Sequence, residues 1–228
     1  MEKKTIIILS LVSAILTLIY IILSSYGYMR YITIFRTPTK KYIENYNKLD
    51  KAHDTRRVVI SVITTDKSIK KITPVIKSLL DQTVKVDLIT IVVPYGKDYD
   101  PPDDIKDCVT LFRTGKNYGD LNSLIPTIMR EGDADTIIIT VGDDTIYGID
   151  FIEKLLNDKF KSSSDKNIIY NNSQEFIDIK KGAVFISDIF NDDFTNPPKD
   201  CDANKWVNNY LKNTPKERIN YRENHKKM

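Results

Sequence analysis

The sequence predicts an α/β domain, a mostly parallel sheet covered by helices on both faces, preceded by one membrane-spanning helix. Two observations predict the domain. Short β-branched runs recur at residues 57–65, 86–93, 109–112 and 136–141. Between them lie stretches with apolar residues at helical spacing, and strands alternating with helices make parallel sheets. A third observation predicts the helix: residues 5–29 carry no charge.

A helix rises about 1.5 Å per residue, so about 20 apolar residues match a hydrocarbon core of about 30 Å. Lys3 and Lys4 precede the run, and Tyr20, Tyr26, Tyr28 and Tyr31 crowd its far end as an interfacial belt. A cleaved signal peptide is the competing reading, with Ser24 and Ser25 as its cleavage site. Its apolar region would run only about 7–15 residues, shorter than this one. Residues 1–4 are therefore read as a flank and 5–29 as an uncleaved single-pass anchor. The basic flanks oppose each other. Lys3 and Lys4 favour a cytosolic N-terminus, whereas Arg30, Arg36, Lys40 and Lys41 favour a cytosolic domain. Both compartments stay open. Residues 30–56 read as a polar, tyrosine-rich stalk.

About 190 residues follow the anchor, enough for one domain with a single core. A formal charge of +3 with interspersed signs argues against a nucleic-acid partner. Cys108 and Cys201 lack CxxC spacing, which indicates neither a zinc site nor a disulfide framework. They could pair only in a lumenal domain, where the sequon Asn171, Asn172, Ser173 would also matter. His53 and His225 fall in the stalk and tail, which disfavours a histidine-based hydrolase. Neither GxxxxGK[ST] nor GxGxxG occurs, which argues against P-loop and dinucleotide enzymes.

The domain is expected over residues 57–212. Its first run has no room for a helical stripe and reads as a strand buried on both faces. Residues 66–82 follow as a helix with Ile69, Ile72, Val75, Ile76, Leu79 and Leu80 inward and Pro74 in the first turn. Pro94 and Gly96 stop the second strand, and residues 98–104 are a loop punctuated by Pro101 and Pro102. Helices are expected at 121–130, from 149 onward and at 202–211, with further strands at 167–170 and 183–186. Residues 213–228 read as a polar, frayed tail. Ligands of such sheets bind beyond the carboxyl ends of the strands. That rule selects residues 64–66, 94–96 and 142–145.

The most informative of these is the run Gly142, Asp143, Asp144, Thr145. Adjacent carboxylates repel unless a positive group offsets them. Mg²⁺ does so, taking one or two carboxylates plus substrate phosphate oxygens. The plain alternative is a solvated loop whose aspartates cap the next helix.

The order of segments resembles the GT-A glycosyltransferases, above all the family-2-like group, over nearly the whole soluble chain. The stretch VVISVITTDKSIKKITPVIKSLLDQT resembles that fold's opening strand, nucleotide loop and following helix. VDLITIVVPYG is similar to the second strand, and LFRTGKNYGDLNSLIPTI to the segment often written D-Y-G-P-A-T-K-L-L-P. DTIIITVGDDTIYG resembles the strand that carries the D-x-D or D-D-D motif, and KKGAVFI the glycine-led strand near the acceptor. Three positions depart from the pattern. Gly142 stands where the first of three aspartates would fall, Ser123 where the lysine would fall, and Asp120 where the proline would fall.

The resemblance implies a nucleotide-sugar donor, a divalent cation (Mn²⁺ or Mg²⁺), a glycan or other hydroxyl acceptor, and inversion at the sugar. It implies that Thr64, Thr65 and Asp66 line the nucleotide pocket and that Asn117 and Gly119 lie close to the donor. Asp144 becomes the metal ligand, with Asp143 supporting it or meeting the ribose. The inverting base is expected at Asp202, four residues before Trp206, with Asp200 and the pair Asp192, Asp193 as rivals. Asp202 could equally cap the helix holding Trp206 and Tyr210, and Trp206 reads as a core anchor before an acceptor platform. A catalytically silent GT-A-like domain that binds or scaffolds a partner is the rival reading, motivated by Gly142 and Ser123. Nucleotidyl transfer on a similar sheet ranks last, because TTDKSIKK lacks glycine.

Overall fold

A computed structural model describes residues 2–25, 27–53, 55–96, 99–161, 168–171, 176–199, 201–219 and 226–227. Tyr26 of the expected aromatic belt, Asn172 and Ser173 of the sequon, the rival base Asp200, and His225 lie outside the described residues. The chain divides into two units, Met1–Thr37 and Pro38–Met228.

The first unit holds helices α1 (Glu2–Ser25) and α2 (Tyr28–Arg36). Gly27 joins them at φ +68°, a left-handed conformation that glycine adopts without penalty. Within α1, Lys3–Ser24 has a mean hydropathy of 2.9 and none of it is buried. By length and composition this helix can cross a membrane. The same test is passed by a signal sequence.

The second unit begins at Pro38, inside the expected stalk. Helix α3 (Thr39–Tyr46) buries Thr39, Tyr42 and Tyr46, spaced to fall on one face. The Thr39 hydroxyl donates to Asp104 Oδ2 at 2.6 Å, and the Tyr46 hydroxyl accepts the Val86 N–H at 2.9 Å. Burial pushes the Tyr46 phenol well above its ordinary pKa. The tyrosines that composition assigned to a stalk form the buried stripe of a domain helix.

Seven strands form the main sheet in the order β3-β2-β1-β4-β7-β6-β8. They are β1 (Val58–Ile63), β2 (Leu88–Pro94), β3 (Thr110–Thr114), β4 (Ile137–Gly142), β6 (Ile168–Asn171), β7 (Ala183–Ile186) and β8 (Lys216–Ile219). All neighbours pair in parallel except β7, which runs antiparallel to β4 and β6. Both β1 and β4 are buried at every position, which is why they read as near-continuous apolar runs, interrupted by Ser61 and Thr140, rather than alternating ones. The mostly parallel, helix-flanked sheet agrees with the fold class expected from sequence.

Helix α4 (Thr73–Leu80) starts with Pro74 in its first turn, as expected. The preceding residues, placed in the same helix by periodicity, instead make a 3-10 turn, Ile69–Lys71. Likewise the helix expected at 121–130 is a 3-10 turn, Gly119–Ser123, followed by α5 (Ile125–Arg130). A proline near the start of each α segment lacks the N–H that a longer helix would need. Helices α6 (Phe151–Lys161), α7 (Asp192–Thr195) and α8 (Ala203–Tyr210) complete the unit. The expected frayed tail contributes β8, paired in parallel with β6, and β9 (Lys226–Lys227), paired with β5 (Thr145–Ile146).

Candidate active site

Strand order reverses between β1 and β4, the place where parallel sheets open a ligand crevice. Ile63 pairs with Gly142, so residues 64–66 and 143–145 leave the sheet side by side. The structure thus brings together Thr64, Thr65 and Asp66 with Asp143 and Asp144.

The β1 side is a self-bonded turn. The Ser68 N–H donates to Thr65 Oγ1 at 3.2 Å while the Thr65 N–H donates to Ser68 Oγ at 3.1 Å. This reciprocal pattern is a capping box in miniature, and it fixes the loop before any ligand binds. Ser68 was absent from the expected site. Its spacing from Thr65 was the available signal.

On the β4 side, Asp144 is exposed and its Oδ1 accepts the Thr145 hydroxyl at 3.1 Å. Asp143 is half-buried, and its Oδ2 is shielded from solvent without a hydrogen-bond partner. Among the described residues two other buried side-chain oxygens share that condition, Thr136 Oγ1 and Thr140 Oγ1. A carboxylate oxygen costs far more to desolvate unpaired than a hydroxyl, so Asp143 has the strongest need of a cation or donor. Among the described residues no group of three histidine, cysteine or acidic side chains gathers to hold a metal. Two adjacent carboxylates, one with an unsatisfied oxygen, still fit a cation whose remaining ligands come from a bound diphosphate.

Gly142 has a steric reason to be glycine. A Cβ there would lie 2.9 Å from the Lys180 carbonyl oxygen, 3.2 Å from Asp144 Oδ1 and 3.3 Å from Lys180 Cβ. The Gly142 N–H donates to that carbonyl at 2.8 Å. Tyr147, wholly buried, seals the junction. Its hydroxyl accepts the Gly142 N–H at 2.8 Å and lies 3.0 and 3.2 Å from the carbonyls of Gly142 and Lys180. Burial, with the neighbouring charges of Asp144, Asp143 and Asp178 adding to it, keeps the phenol protonated, far above its usual range. An aspartate at position 142 has no room on this backbone.

Segment 177–182 is held from the other side by α8. Asn208 accepts the Ile177 N–H at 2.9 Å and donates to the Ile177 carbonyl at 2.8 Å. One turn earlier, Asn204 accepts the Ile179 N–H at 3.2 Å. Sequence reading missed both asparagines, although their i, i+4 spacing on a helix was visible.

Asn117 and Gly119 lie on a separate cleft of about 600 Å³, lined by Lys116, Tyr118, Pro198, Lys199 and Cys201 as well. The lining includes neither aspartate and none of residues 64–66. Asn117 shapes its own loop: its Oδ1 accepts the Gly119 N–H at 2.9 Å and the Asn122 amide at 3.0 Å. Gly119 sits at φ +62° with open space where a Cβ would be, so the turn requires glycine and close approach does not. Lys116, 4.7 Å above the Tyr118 ring, and Lys199 are cations on this cleft that the sequence reading passed over.

Asp202 follows the cleft residue Cys201 in the chain and caps α8 by accepting the Lys205 N–H through Oδ1 at 2.7 Å. Its carboxylate is exposed, leaving the second oxygen for other work. The rivals Asp192 and Asp193 are exposed in the first turn of α7, capped by Asn191. Trp206 donates to the Phe194 carbonyl at 3.2 Å and packs against the aromatic cluster, as a core anchor does. Neither Cys108 nor Cys201 is held in a disulfide.

No family model and no curated protein matches the sequence. Solved structures do. A mannosyltransferase from Pyrobaculum calidifontis, in complex with GDP-Man and Mn²⁺, superposes with a TM-score of 0.53 at 11% identity, over 87% of this chain and 67% of that one. A 4-diphosphocytidyl-2C-methyl-D-erythritol synthase matches at 0.49 and 10%, over 77% and 94%. A structure from Desulfovibrio desulfuricans, provisionally a nucleotide-diphospho-sugar transferase, matches at 0.47 and 12%, over 72% and 78%. The chain has the GT-A-like, Rossmann-like fold of the first of these, with one N-terminal helix long and apolar enough to cross a membrane.

Proposed function

We propose that the chain is a membrane-anchored glycosyltransferase that moves a sugar from a nucleotide-sugar donor to a hydroxyl of a glycan or other acceptor, with inversion. The observation that carries this reading is the unpartnered Asp143 Oδ2 at the carboxyl end of the central strand, beside Asp144, on a GT-A-like sheet. The anchor is α1. The capping-box turn at Thr64, Thr65 and Asp66 forms one wall of the nucleotide pocket. Asn117 and Gly119 shape the neighbouring cleft on the donor's sugar side.

Asp144 and Asp143 would hold a divalent cation, which when bound neutralises the leaving diphosphate as a Lewis acid and template. The protein's own part is orientation and proton transfer. Tyr147 and the Lys180 carbonyl fix the backbone from which both aspartates project. Asp202 keeps Oδ1 in the cap and offers Oδ2 to the acceptor hydroxyl, taking its proton as the sugar is transferred. The structural cap and the general base are compatible on one carboxylate because they use different oxygens.

A second reading, a silent GT-A-like domain that binds a partner, draws on the steric closure of position 142 and the lack of a third acid among the described residues. Titration of the detergent-solubilised chain with nucleoside diphosphates, with and without Mn²⁺, separates the two. Metal-dependent binding of one nucleotide, lost in Asp144→Asn, supports the transferase. Silence across the panel from a folded sample supports the silent domain.

A further inference from the structure

We propose that Lys180 is the cation that meets the donor's diphosphate, and that Asp120 holds its ammonium in register until the ligand arrives. This deepens the nucleotide-sugar reading and rests on it.

The position where a lysine was expected, Ser123, is wholly buried, and its hydroxyl donates to the Asp120 carbonyl at 3.3 Å. No cation can reach the crevice from there. Lys180 approaches from the opposite side. Its Cβ and Asp144 Oδ1 lie 3.3 and 3.2 Å from one point above Gly142, so the side chain starts beside the acidic turn. Its ammonium ends 2.8 Å from Asp120 Oδ2, next to Gly119 on the rim of the cleft. The lysine therefore runs from the aspartates to the donor-side loop, along the path between nucleotide pocket and sugar cleft.

Three departures from the family pattern then belong to one arrangement. Gly142 admits the Lys180 backbone, Asp120 supplies a counter-ion, and buried Ser123 leaves the cationic role to Lys180. Lys180 and Asp120 are 44% and 43% exposed, so the pair faces solvent and is weak enough to exchange partners. A diphosphate, more highly charged than a carboxylate, displaces Asp120 from the ammonium. The other charges at this segment are Asp178, which accepts the Lys180 N–H at 3.1 Å, and Lys181, 3.7 Å from Asp178. They leave the Lys180 ammonium itself to Asp120.

The two partners should act with opposite sign. The test titrates the full chain in detergent, with Mg²⁺, using inorganic pyrophosphate and a panel of nucleoside diphosphates. Lys180→Gln should weaken binding of both probes about tenfold, the scale of one charge-assisted hydrogen bond, and Lys180→Arg should restore most of it. Asp120→Asn should tighten binding, because the competitor for the ammonium is gone. Opposite shifts on pyrophosphate without any nucleotide preference would uphold Lys180 and overturn the nucleotide-sugar reading. Absent pyrophosphate binding, an unaffected Lys180→Gln protein, or equal weakening by both variants would overturn Lys180 as a diphosphate site.

Discussion

Replacing Gly142 by alanine adds one methyl group at the tightest point of the molecule's acidic turn. The new Cβ would sit 2.9 Å from the Lys180 carbonyl oxygen, about 0.5 Å short of the 3.4 Å where ordinary contact begins. The clashing atom is backbone, held by the Gly142 N–H and flanked by the Asn204 and Asn208 contacts, so it cannot swing away as a side-chain tip would. Overpacking of this kind costs about 1–3 kcal/mol. Gly142 is not in a left-handed conformation, so the exchange also gains about 0.4–1 kcal/mol by stiffening the unfolded chain. The net is a loss of about 1–2 kcal/mol, or about 2–8 °C in melting temperature for a domain of this size. Thermal unfolding by circular dichroism, in detergent, measures it. Gly132→Ala is the control: nothing lies within 4 Å of its added Cβ, so only the unfolded-chain gain remains and it should melt about 1–4 °C above the parent. If Gly142→Ala melts with or above its parent, the Lys180 carbonyl does not rest on Gly142. The steric account of the missing aspartate then fails.

Tyr147→Phe removes a buried hydroxyl bonded to Gly142 and set against two carbonyls, and should cost about 1–3 kcal/mol in chemical denaturation. A change too small to measure would show that the hydroxyl does not secure the turn. Asp202→Asn keeps a good cap and should leave stability and donor affinity unchanged while stopping transfer, whereas Asp202→Ala should also lose about 1 kcal/mol of stability. Normal turnover in the asparagine variant would move the base to another acid. Burial pushes the Cys108 thiol up to about 11 from 9.0, with Asp104 nearby adding to the shift. Its iodoacetamide alkylation at pH 8, followed by mass spectrometry, should run about a hundredfold slower folded than in urea. Because the folded value is the higher one, this thiol's contribution to stability is complete below about pH 9 and is lost as pH rises through about 11. Equal alkylation rates in the two states would show that the thiol is not shielded.

The sheet was legible because β1 and β4 are buried on both faces and so are apolar at nearly every position, over runs too short for a helix. The two aspartates were legible for a related reason, being charges placed where such a run ends. What escaped depends on contacts between distant segments. Tyr42 and Tyr46 look like stalk residues until a helix face and the Val86 N–H give them a partner. Lys216–Ile219 read as polar tail because β8 lies at the sheet's edge, where little apolar surface is needed to pair with β6. Gly142 read as a lost acid, since nothing in the sequence announces that the Lys180 carbonyl will lie against it. Lys180 stood beyond notice for the same reason, 60 positions from the aspartate that holds it.

The asparagine grip of α8 on segment 177–180 has a consequence for ancestry. Asn208 and Asn204 bind amide and carbonyl groups, which every residue except proline supplies. A segment restrained this way can exchange its side chains freely while its path through space stays fixed. The information that specifies its shape has moved off the segment and onto an Asn-x-x-x-Asn pair elsewhere in the chain. Relatives of this protein are therefore better sought by that spaced pair, together with a glycine ahead of two aspartates, than by the residues of the segment. Drift of this kind lets a lineage lose every detectable sequence match and keep its fold.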